Sequence, residues 1–278
     1  MSPIAIAKKT TWCPGCGNFM IIKGLVRAVD DAGVEPNKLV LVSGIGQAAK
    51  MPHYVETSMF NGLHGRALPH ATGIKIANHA LKVVITSGDG DMYGEGGNHF
   101  LHAIRRNIGV VALVHNNQVY GLTKGQASPT SDLGFTTKIQ THGVISLPFN
   151  PIAVAIALDC SFVARTFCGD KEHMVEMIAA ALKHDGGFAL VDILQPCVSF
   201  NTVNTYKWYR ERCKRVADSH DPFDQSAAMN VALKWPSASG AADEIPVGII
   251  YRSKRPSFEA QQPALANGPL VEQYAASE

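Results

Sequence analysis

The chain has 278 residues, with 25 Lys and Arg against 23 Asp and Glu for a formal net charge of +2. Hydrophobic residues make up 46% and charged residues 17%, and mean hydropathy is +0.03. These values exclude a disordered chain, and so even a charge balance gives no basis for binding nucleic acid or an anionic membrane. The longest apolar runs, such as Ile152 to Leu158, fall well short of the roughly twenty residues a membrane-spanning helix needs. The N-terminal stretch Met1 to Lys9 has no signal-peptide core, so a cytoplasmic protein is expected. A chain this long buries about 70–75% of its unfolded surface and needs no disulfides to form a core.

Apolar runs alternate with helical patterns along the chain. Asn18 to Val29 places Ile21, Ile22, Leu25, Val26 and Val29 on one helix face. Lys38 to Val42 reads as a buried strand ending at Ser43-Gly-Ile-Gly46. Pro69 to Ala80 reads as a helix, and Lys82 to Thr86 as a strand ending at Ser87-Gly-Asp-Gly90. Gly97 to Arg106 is helical, and Val110 to Val114 is a strand ending at His115-Asn-Asn117. Pro151 to Leu158 (helix), Phe162 to Arg165 (strand), Lys171 to His184 (helix) and Phe188 to Leu194 (strand) continue the alternation. Repeated strand–helix–strand units predict an α/β fold, a doubly wound and mostly parallel sheet with helices on both faces. Its ligand site is expected at the carboxyl ends of the strands, where the Gly-Ile-Gly, Gly-Asp-Gly and Asn-Asn turns all fall.

Beyond about residue 217 the pattern weakens. Asp218 to Ser226 is polar and interrupted by Pro222, and Ser237 to Pro246 is rich in Ala, Ser and Gly. Val247 to Tyr251 has the composition of one more strand, and the last twenty residues read as extended. The expected organisation is therefore a domain over 1–217 and a C-terminal extension over 218–278 that packs on the domain or a partner.

The chemistry begins at Gly88-Asp89-Gly90-Asp91. The acid sits at a strand's carboxyl end and opens toward a helix whose N-terminus suits phosphate. Asn116-Asn117 follows at the carboxyl end of the next strand, 28 residues beyond Asp89 at Asn117. An Asp carboxylate, an Asn carbonyl and a nearby backbone carbonyl are hard oxygen ligands, the kind magnesium takes when it also holds diphosphate. Six cysteines, at 13, 16, 160, 168, 197 and 213, form one close pair and four singles. In a cytosolic protein that spacing points to a metal or cluster site rather than to disulfides.

Gly-Asp-Gly followed by Asn-Asn at this spacing resembles the thiamine diphosphate motif. Five strings occur in order: Trp12-Cys-Pro-Gly-Cys-Gly-Asn18, Ser43-Gly-Ile-Gly46, Leu63-His-Gly-Arg-Ala67, Asn116-Asn-Gln-Val-Tyr-Gly-Leu-Thr-Lys-Gly-Gln126 and Gln195-Pro-Cys-Val198. Together they resemble the β subunit of a 2-oxoacid:ferredoxin oxidoreductase over about residues 10 to 217, with a weaker match through Ile245-Pro-Val-Gly-Ile-Ile250. The resemblance implies a thiamine diphosphate-binding fold and oxidative decarboxylation of a 2-oxoacid. Acyl transfer to coenzyme A and ferredoxin reduction through iron–sulfur clusters complete the reaction, which also runs in reverse. It implies half an active site. An α subunit holds the aminopyrimidine end of the cofactor and supplies the activating glutamate, as one fused chain or alongside γ and δ subunits.

The resemblance assigns Asp89, Asn117 and the carbonyl of Val119 to Mg2+. Gly44, Ile45, Gly46, Gln47, His64, Gly88, Asp89, Gly90, Asp91, Asn117, Val119, Gly121 and Leu122 are assigned to the cofactor. His64 matches a position near the cofactor, for phosphate bonding or proton transfer, and its structural alternative is a helix cap. Lys50 and Lys124 match cationic positions near substrate, and Arg66 is either a carboxylate clamp or an ion-pair partner. Cys13, Cys16 and Cys197 match three of four cysteines for one [4Fe–4S] cluster, but the fourth position is Gln47. Three readings stay open: a cluster with a non-cysteine ligand, recruitment of Cys160, Cys168 or Cys213, or no cluster in this subunit. The Lys124-to-Thr130 segment resembles 2-oxoglutarate and broad-range members, with pyruvate and branched 2-oxoacids as alternatives. Two competing classes fit less well. A nicotinamide-binding domain would need a third glycine where Ala49 stands, and a zinc knuckle a second close Cys/His pair.

Overall fold

The computed structural model describes residues 4–7, 9–236 and 243–276. The expectations placed on 1–3, 237–242 and 277–278 lie outside them.

Helix α1 (Asn18–Asp31) leads to strand β1 (Leu39–Ser43), a 3-10 segment (Ala48–Tyr54) and strand β2 (Ser58–Asn61). Helix α2 (Ala67–Ala77) starts two residues before the expected helix. Pro69 is accommodated because first-turn N–H groups have no helical partner. Strand β3 (Lys82–Gly88), a π-helical turn (Gly90–Glu95), helix α3 (Gly97–Arg106) and strand β4 (Val111–Asn116) follow. Strands β5 (Val119–Tyr120) and β6 (Gln126–Ala127) pair as a small antiparallel ribbon. Helix α4 (Pro151–Ala157), strand β7 (Phe162–Phe167), helix α5 (Lys171–Lys183) and strand β8 (Ala189–Leu194) complete the expected alternation. Helix α6 (Tyr206–Arg212), strand β9 (Cys213–Arg215), helix α7 (Gln225–Ala232), strand β10 (Ile245–Arg252) and helix α8 (Leu270–Ala275) make up the rest.

Eight strands form one sheet in the order β2-β1-β3-β4-β8-β7-β10-β9. Every pairing is parallel except β10 against β7. The residues of each central strand alternate between two cores. On one face Leu39, Leu41, Val84 and Leu113 pack with Ile21 and Leu25 of α1 and with Met174 and Ile178 of α5. On the other, Val40, Val42, Ile85 and Val114 pack with Leu68 of α2, Phe100 and Ile104 of α3, Ile152 of α4 and Ala228 of α7. The doubly wound architecture follows from that burial on both faces, which explains why the strands read as continuous apolar runs.

The segment after residue 217 supplies β10 to this sheet, beside β7. Its last residues correct the extended reading. They carry two 3-10 turns and helix α8, which starts directly after Pro269 and runs through helix-compatible Leu, Glu, Gln and Ala. Among the described residues no helix is long and apolar enough to cross a membrane.

Candidate functional site

The parallel sheet brings the carboxyl ends of β1, β3, β4, β7 and β8 to one edge. A cleft of about 550 Å³ opens there. Its walls include Ile45, Gly46, Gln47, His64, Gly88, Asp89, Gly90, Asp91, Asn117, Val119, Gly121 and Leu122. Of the thirteen positions assigned to the cofactor from sequence, only Gly44 stands behind this wall. A Cβ on Gly44 would collide with the Asp91 carboxylate.

Asp91 ties the loops together. Its Oδ1 accepts from the Ile45 amide (3.0 Å), the Gly65 amide (2.8 Å) and His64 Nδ1 (2.7 Å), and its Oδ2 accepts from Ser87 Oγ (2.6 Å). The carboxylate thus joins three loops that are far apart in sequence and carries a full set of donors. His64, with its side chain 38% exposed, keeps Nε2 at 3.7 Å from Glu95.

Asp89 is buried. Its Oδ2 accepts from Ser128 Oγ (2.5 Å) and Thr130 Oγ1 (2.7 Å), while Oδ1 has only a long contact from the Asn117 amide (3.4 Å). Burial pushes its pKa up from the ordinary 3.8 to about 6, against the lowering effect of the two hydroxyls. A carboxylate with one oxygen held and the other under-coordinated suits a cation. Asn117 Oδ1 accepts from the Val119 amide at 3.0 Å and retains a second lone pair. Gln118, at φ 59°, turns the chain between them. Its side chain is locked by Thr130 O and Tyr209 Oη at 2.8 Å each.

The glycines leave room for a ligand. The space where a Cβ would stand on Gly46 (φ 121°) or Gly88 is open to 4 Å, so a ligand can approach the bare backbone. Polar groups on the cleft wall also lack partners. Asn18 Nδ2, Gln47 Oε1, His115 Nε2 and Gln195 Oε1 are buried without a hydrogen bond. His115 Nδ1 lies 2.7 Å from Asn18 Oδ1, and burial lowers the imidazole pKa to about 3, so it stays neutral. Such a set of orphaned groups costs stability unless something in the cleft engages them. The open glycine cradle and the Asn18 N–H suit phosphate oxygens, whereas the Gln47 and Gln195 carbonyls and the bare His115 Nε2 call for N–H or O–H donors elsewhere on a polar ligand.

Sequence reasoning did not single out Asn18, His115, Gln195, Ser128 or Thr130. All five lie inside or beside the quoted strings, but spacing alone gave them no role. The expected cations stand apart from the cleft wall. Lys50 Nζ bonds Thr11 Oγ1 at 3.1 Å, Arg66 lies 3.1 Å from His99 Nε2, and Lys124 is exposed at φ 76° just past Thr123.

A second pocket of about 390 Å³ adjoins the first. Cys13, Cys16 and Cys197 line it together with Trp12, Gln47 and Gln195. Gln47, Asn117, Gly121 and Gln195 line both cavities and form the partition between them. Gln195 Nε2 donates to Cys16 Sγ at 3.4 Å. Burial raises the thiol pKa of Cys16, and pushes those of Cys160, Cys168 and Cys213 to about 12. Among the described residues no group of three or more His, Cys, Asp or Glu side chains is placed to hold a metal ion.

A chain of hydrogen bonds runs inward from Asp89. The Thr130 hydroxyl donates to Asp89 and lies 2.9 Å from Asn116 Oδ1, and Asn116 Nδ2 donates to Asp192 at 3.2 Å. Asp192 also accepts from Tyr93 Oη (3.2 Å) and Arg165 Nε (3.3 Å), all of it buried. Burial raises the Asp192 pKa, and the Arg165 charge opposes that.

Residues 42–193 match the family described as thiamine pyrophosphate enzyme, C-terminal TPP binding domain. Residues 197–267 match the family of the C-terminal part of the pyruvate ferredoxin oxidoreductase beta subunit. The chain is 42% identical over 264 residues to a 2-oxoacid:ferredoxin oxidoreductase subunit beta of Saccharolobus solfataricus, covering 90% of this chain and 84% of that one. It is 43% identical over 194 residues to the 2-oxoglutarate oxidoreductase subunit KorB of Mycobacterium tuberculosis, covering 70% of this chain and 52% of that one. A solved 2-oxoglutarate:ferredoxin oxidoreductase from Magnetococcus marinus, with 2-oxoglutarate, coenzyme A and succinyl-CoA bound, superposes with a TM-score of 0.87 at 35% identity. The match covers 98% of this chain and 89% of that one. Matches of that extent, on a sheet edge that gathers the expected cleft, make this chain a member of the β subunits of the 2-oxoacid:ferredoxin oxidoreductases, with their thiamine pyrophosphate-binding domain.

Proposed function

We propose that this β subunit, joined to an α subunit, acts on 2-oxoglutarate with thiamine diphosphate, Mg2+, coenzyme A and ferredoxin in a cytoplasmic setting. The single observation that carries the cofactor reading is Asp89: a buried carboxylate with one oxygen under-coordinated, beside Asn117 and an open glycine cradle. Asp89, the Asn117 carbonyl and the Val119 carbonyl would hold Mg2+, a hard-oxygen set suited to an ion that also takes diphosphate oxygens. When bound, thiamine diphosphate supplies a nucleophilic carbon and an electron sink for decarboxylation.

The chain's own residues do the rest. Asp91 fixes the loops that carry Ile45 and His64. His64 Nδ1–H donates to Asp91, which leaves Nε2 as an acceptor that can take a proton at the cleft mouth and donates to phosphate only while it holds one. Neutral His115 and Gln195 offer uncharged polar contacts at the wall. Lys50, Lys124 and Arg66 lie outside that wall, so we assign them to the rim, where the α subunit would complete the site. There a cation would pair with the distal carboxylate that 2-oxoglutarate has and pyruvate lacks. Cys13, Cys16 and Cys197 would hold an iron–sulfur cluster that takes electrons across the Gln47–Gln195 partition, with γ and δ subunits carrying them onward where present.

The test is dye reduction by the anaerobically purified complex, with 2-oxoglutarate or pyruvate, each with and without coenzyme A. Coenzyme A-dependent reduction with 2-oxoglutarate alone is expected. Reduction with pyruvate alone would overturn the substrate. In the Asp89→Ala complex, titration should show no Mg2+-dependent thiamine diphosphate binding, and unchanged affinity would overturn the metal assignment.

A further inference from the structure

We infer that a cavity beside Arg165 is a binding site for a short monocarboxylate, an anion with a small apolar tail, separate from the cofactor cleft. The cavity has a volume of about 430 Å³ and shares no wall residue with that cleft. Pro148, Phe149, Pro151 and Trp235 form its apolar wall. Asn116, Thr130, Asn150 and Arg165 form its polar wall.

Arg165 carries the inference. It lies on β7 opposite Asp192 of β8, and its side chain is only 2% exposed. A guanidinium has five N–H donors. Among the described residues its one hydrogen bond is from Nε to Asp192 at 3.3 Å, and Nη1 is buried with no partner. Asp192 is better supplied, since Tyr93 Oη and Asn116 Nδ2 each donate to it at 3.2 Å. In this ion pair the cation is therefore the member short of partners. The Trp235 ring lies 5.4 Å from the guanidinium carbon, a contact that steadies the charge but takes none of its in-plane N–H groups.

The rest of the polar wall has no such shortage. Asn116 Oδ1 lies 2.9 Å from Thr130 Oγ1, and the Thr130 hydroxyl donates to Asp89. Asn150 accepts from the Ala153 amide and donates to the Ala232 carbonyl. Trp235 Nε1 donates to Asp132 at 3.0 Å. Arg252 also has a buried Nε without a partner, but its side chain is part-exposed over Phe162. Among the described residues Arg165 is the only charged side chain on the cavity wall.

The chemistry of the wall selects the ligand. Water fills such a cavity poorly, because a buried water needs two to four polar partners and half of this wall is apolar. The guanidinium lacks an acceptor that matches its planar fork, and a carboxylate supplies one. The ligand's charge is single, because Asp192 stands on the same guanidinium and repels a dianion. Phe149, Trp235 and the two prolines then bury a tail of a few carbons.

This site uses no bound group and no residue of the cleft wall, so it stands or falls apart from the cofactor reading. The test is saturation-transfer NMR with sodium butanoate on the purified complex containing the full chain, with Mg2+ and thiamine diphosphate present. Saturable transfer to the butanoate chain is expected, with a dissociation constant on the order of 1 mM. Butanamide, which lacks the charge, and inorganic phosphate, which has a second charge and no tail, should not displace it. Arg165→Met/Asp192→Leu removes the ion pair as a unit and should weaken butanoate at least about tenfold. Trp235→Ala keeps the guanidinium, removes one apolar wall and should weaken it by at least about threefold. The inference is overturned if wild type shows no saturable transfer up to roughly 50 mM, or if butanamide displaces butanoate. Unchanged affinity in the double variant, or displacement by 2-oxoglutarate, would place the anion elsewhere and overturn it equally. If a variant fails to fold, the wild-type ligand series decides alone.

Discussion

Replacing Asp89 with asparagine should stabilise the cofactor-free protein while abolishing cofactor binding. The carboxyl is buried and its pKa is raised from 3.8 to about 6. At about 1.4 kcal/mol per tenfold change in the proton equilibrium, ionising it in the native state costs about 3 kcal/mol more than in the unfolded chain. Below pH 3.8 both states hold the proton and no cost arises. Between 3.8 and about 6 the unfolded chain ionises first and stability falls as pH rises. Above about 6 the cost is complete. Asparagine carries no such cost and its carbonyl still accepts from Ser128 and Thr130. The stability gap between Asp89→Asn and wild type should widen by about 1.5 kcal/mol from pH 5 to pH 8, reaching about 3 kcal/mol. Urea denaturation of the two cofactor-free proteins across that range measures it. Mg2+ with thiamine diphosphate should then reverse the order, since only wild type gains stability from a ligand that binds the native state. A gap independent of pH, or a variant less stable than wild type at pH 8, would refute the argument.

Asp91→Ala removes the acceptor of four hydrogen bonds and should cost about 3 kcal/mol or more in urea denaturation; a loss under about 1 kcal/mol would show that the loops hold without it. Gly88→Ala places a methyl group in open space at the cleft and should leave stability within about 1 kcal/mol. It should nonetheless weaken thiamine diphosphate binding at least about tenfold by calorimetry, and unchanged affinity would mean that the ligand keeps away from that backbone. Arg165→Met strands Asp192 in the core and should cost about 3–5 kcal/mol, most of it recovered in the Arg165→Met/Asp192→Leu double variant. Equal losses in single and double variants would show that packing, not charge, is at stake.

The sequence made the inner sheet legible because its strands are buried on both faces and each ends in a distinctive turn. Helix α3 came out residue for residue, over Gly97–Arg106. Strand β2 did not, because all four of its residues are exposed at the sheet edge and leave no apolar pattern. Strands β5 and β6 are two residues each, too short for any periodicity. Helix α7 was hidden by the polar run before it, which supplies its cap: Asp224 accepts from the Ala227 amide. At the site, the Gly-Asp-Gly and Asn-Asn turns were readable because each directly follows an apolar strand, and the sheet brings both to the cleft wall. His115 and Asn18 were not, since their contact joins positions 97 apart. Lys50, Arg66 and Lys124 show the converse. A cation in a glycine-rich loop reads the same whether it faces the cleft or stands outside its wall.

Strand β10 sits between β7 and β9 as the sheet's one antiparallel insertion, contributed by the last part of the chain. During synthesis the parallel strands leave the ribosome long before it, so β7 waits with an open edge of unpaired amides and carbonyls. Exposed edges of this kind template aggregation. A chain ended at residue 217 would keep every cleft residue named above, and would also keep that edge permanently open. Emergence of Ile245–Arg252 is thus the event that pairs the β7 edge and leaves only the short strands β2 and β9 at the margins of the sheet. For this protein, the yield of folded subunit should depend on residues far from the cleft as strongly as on those within it.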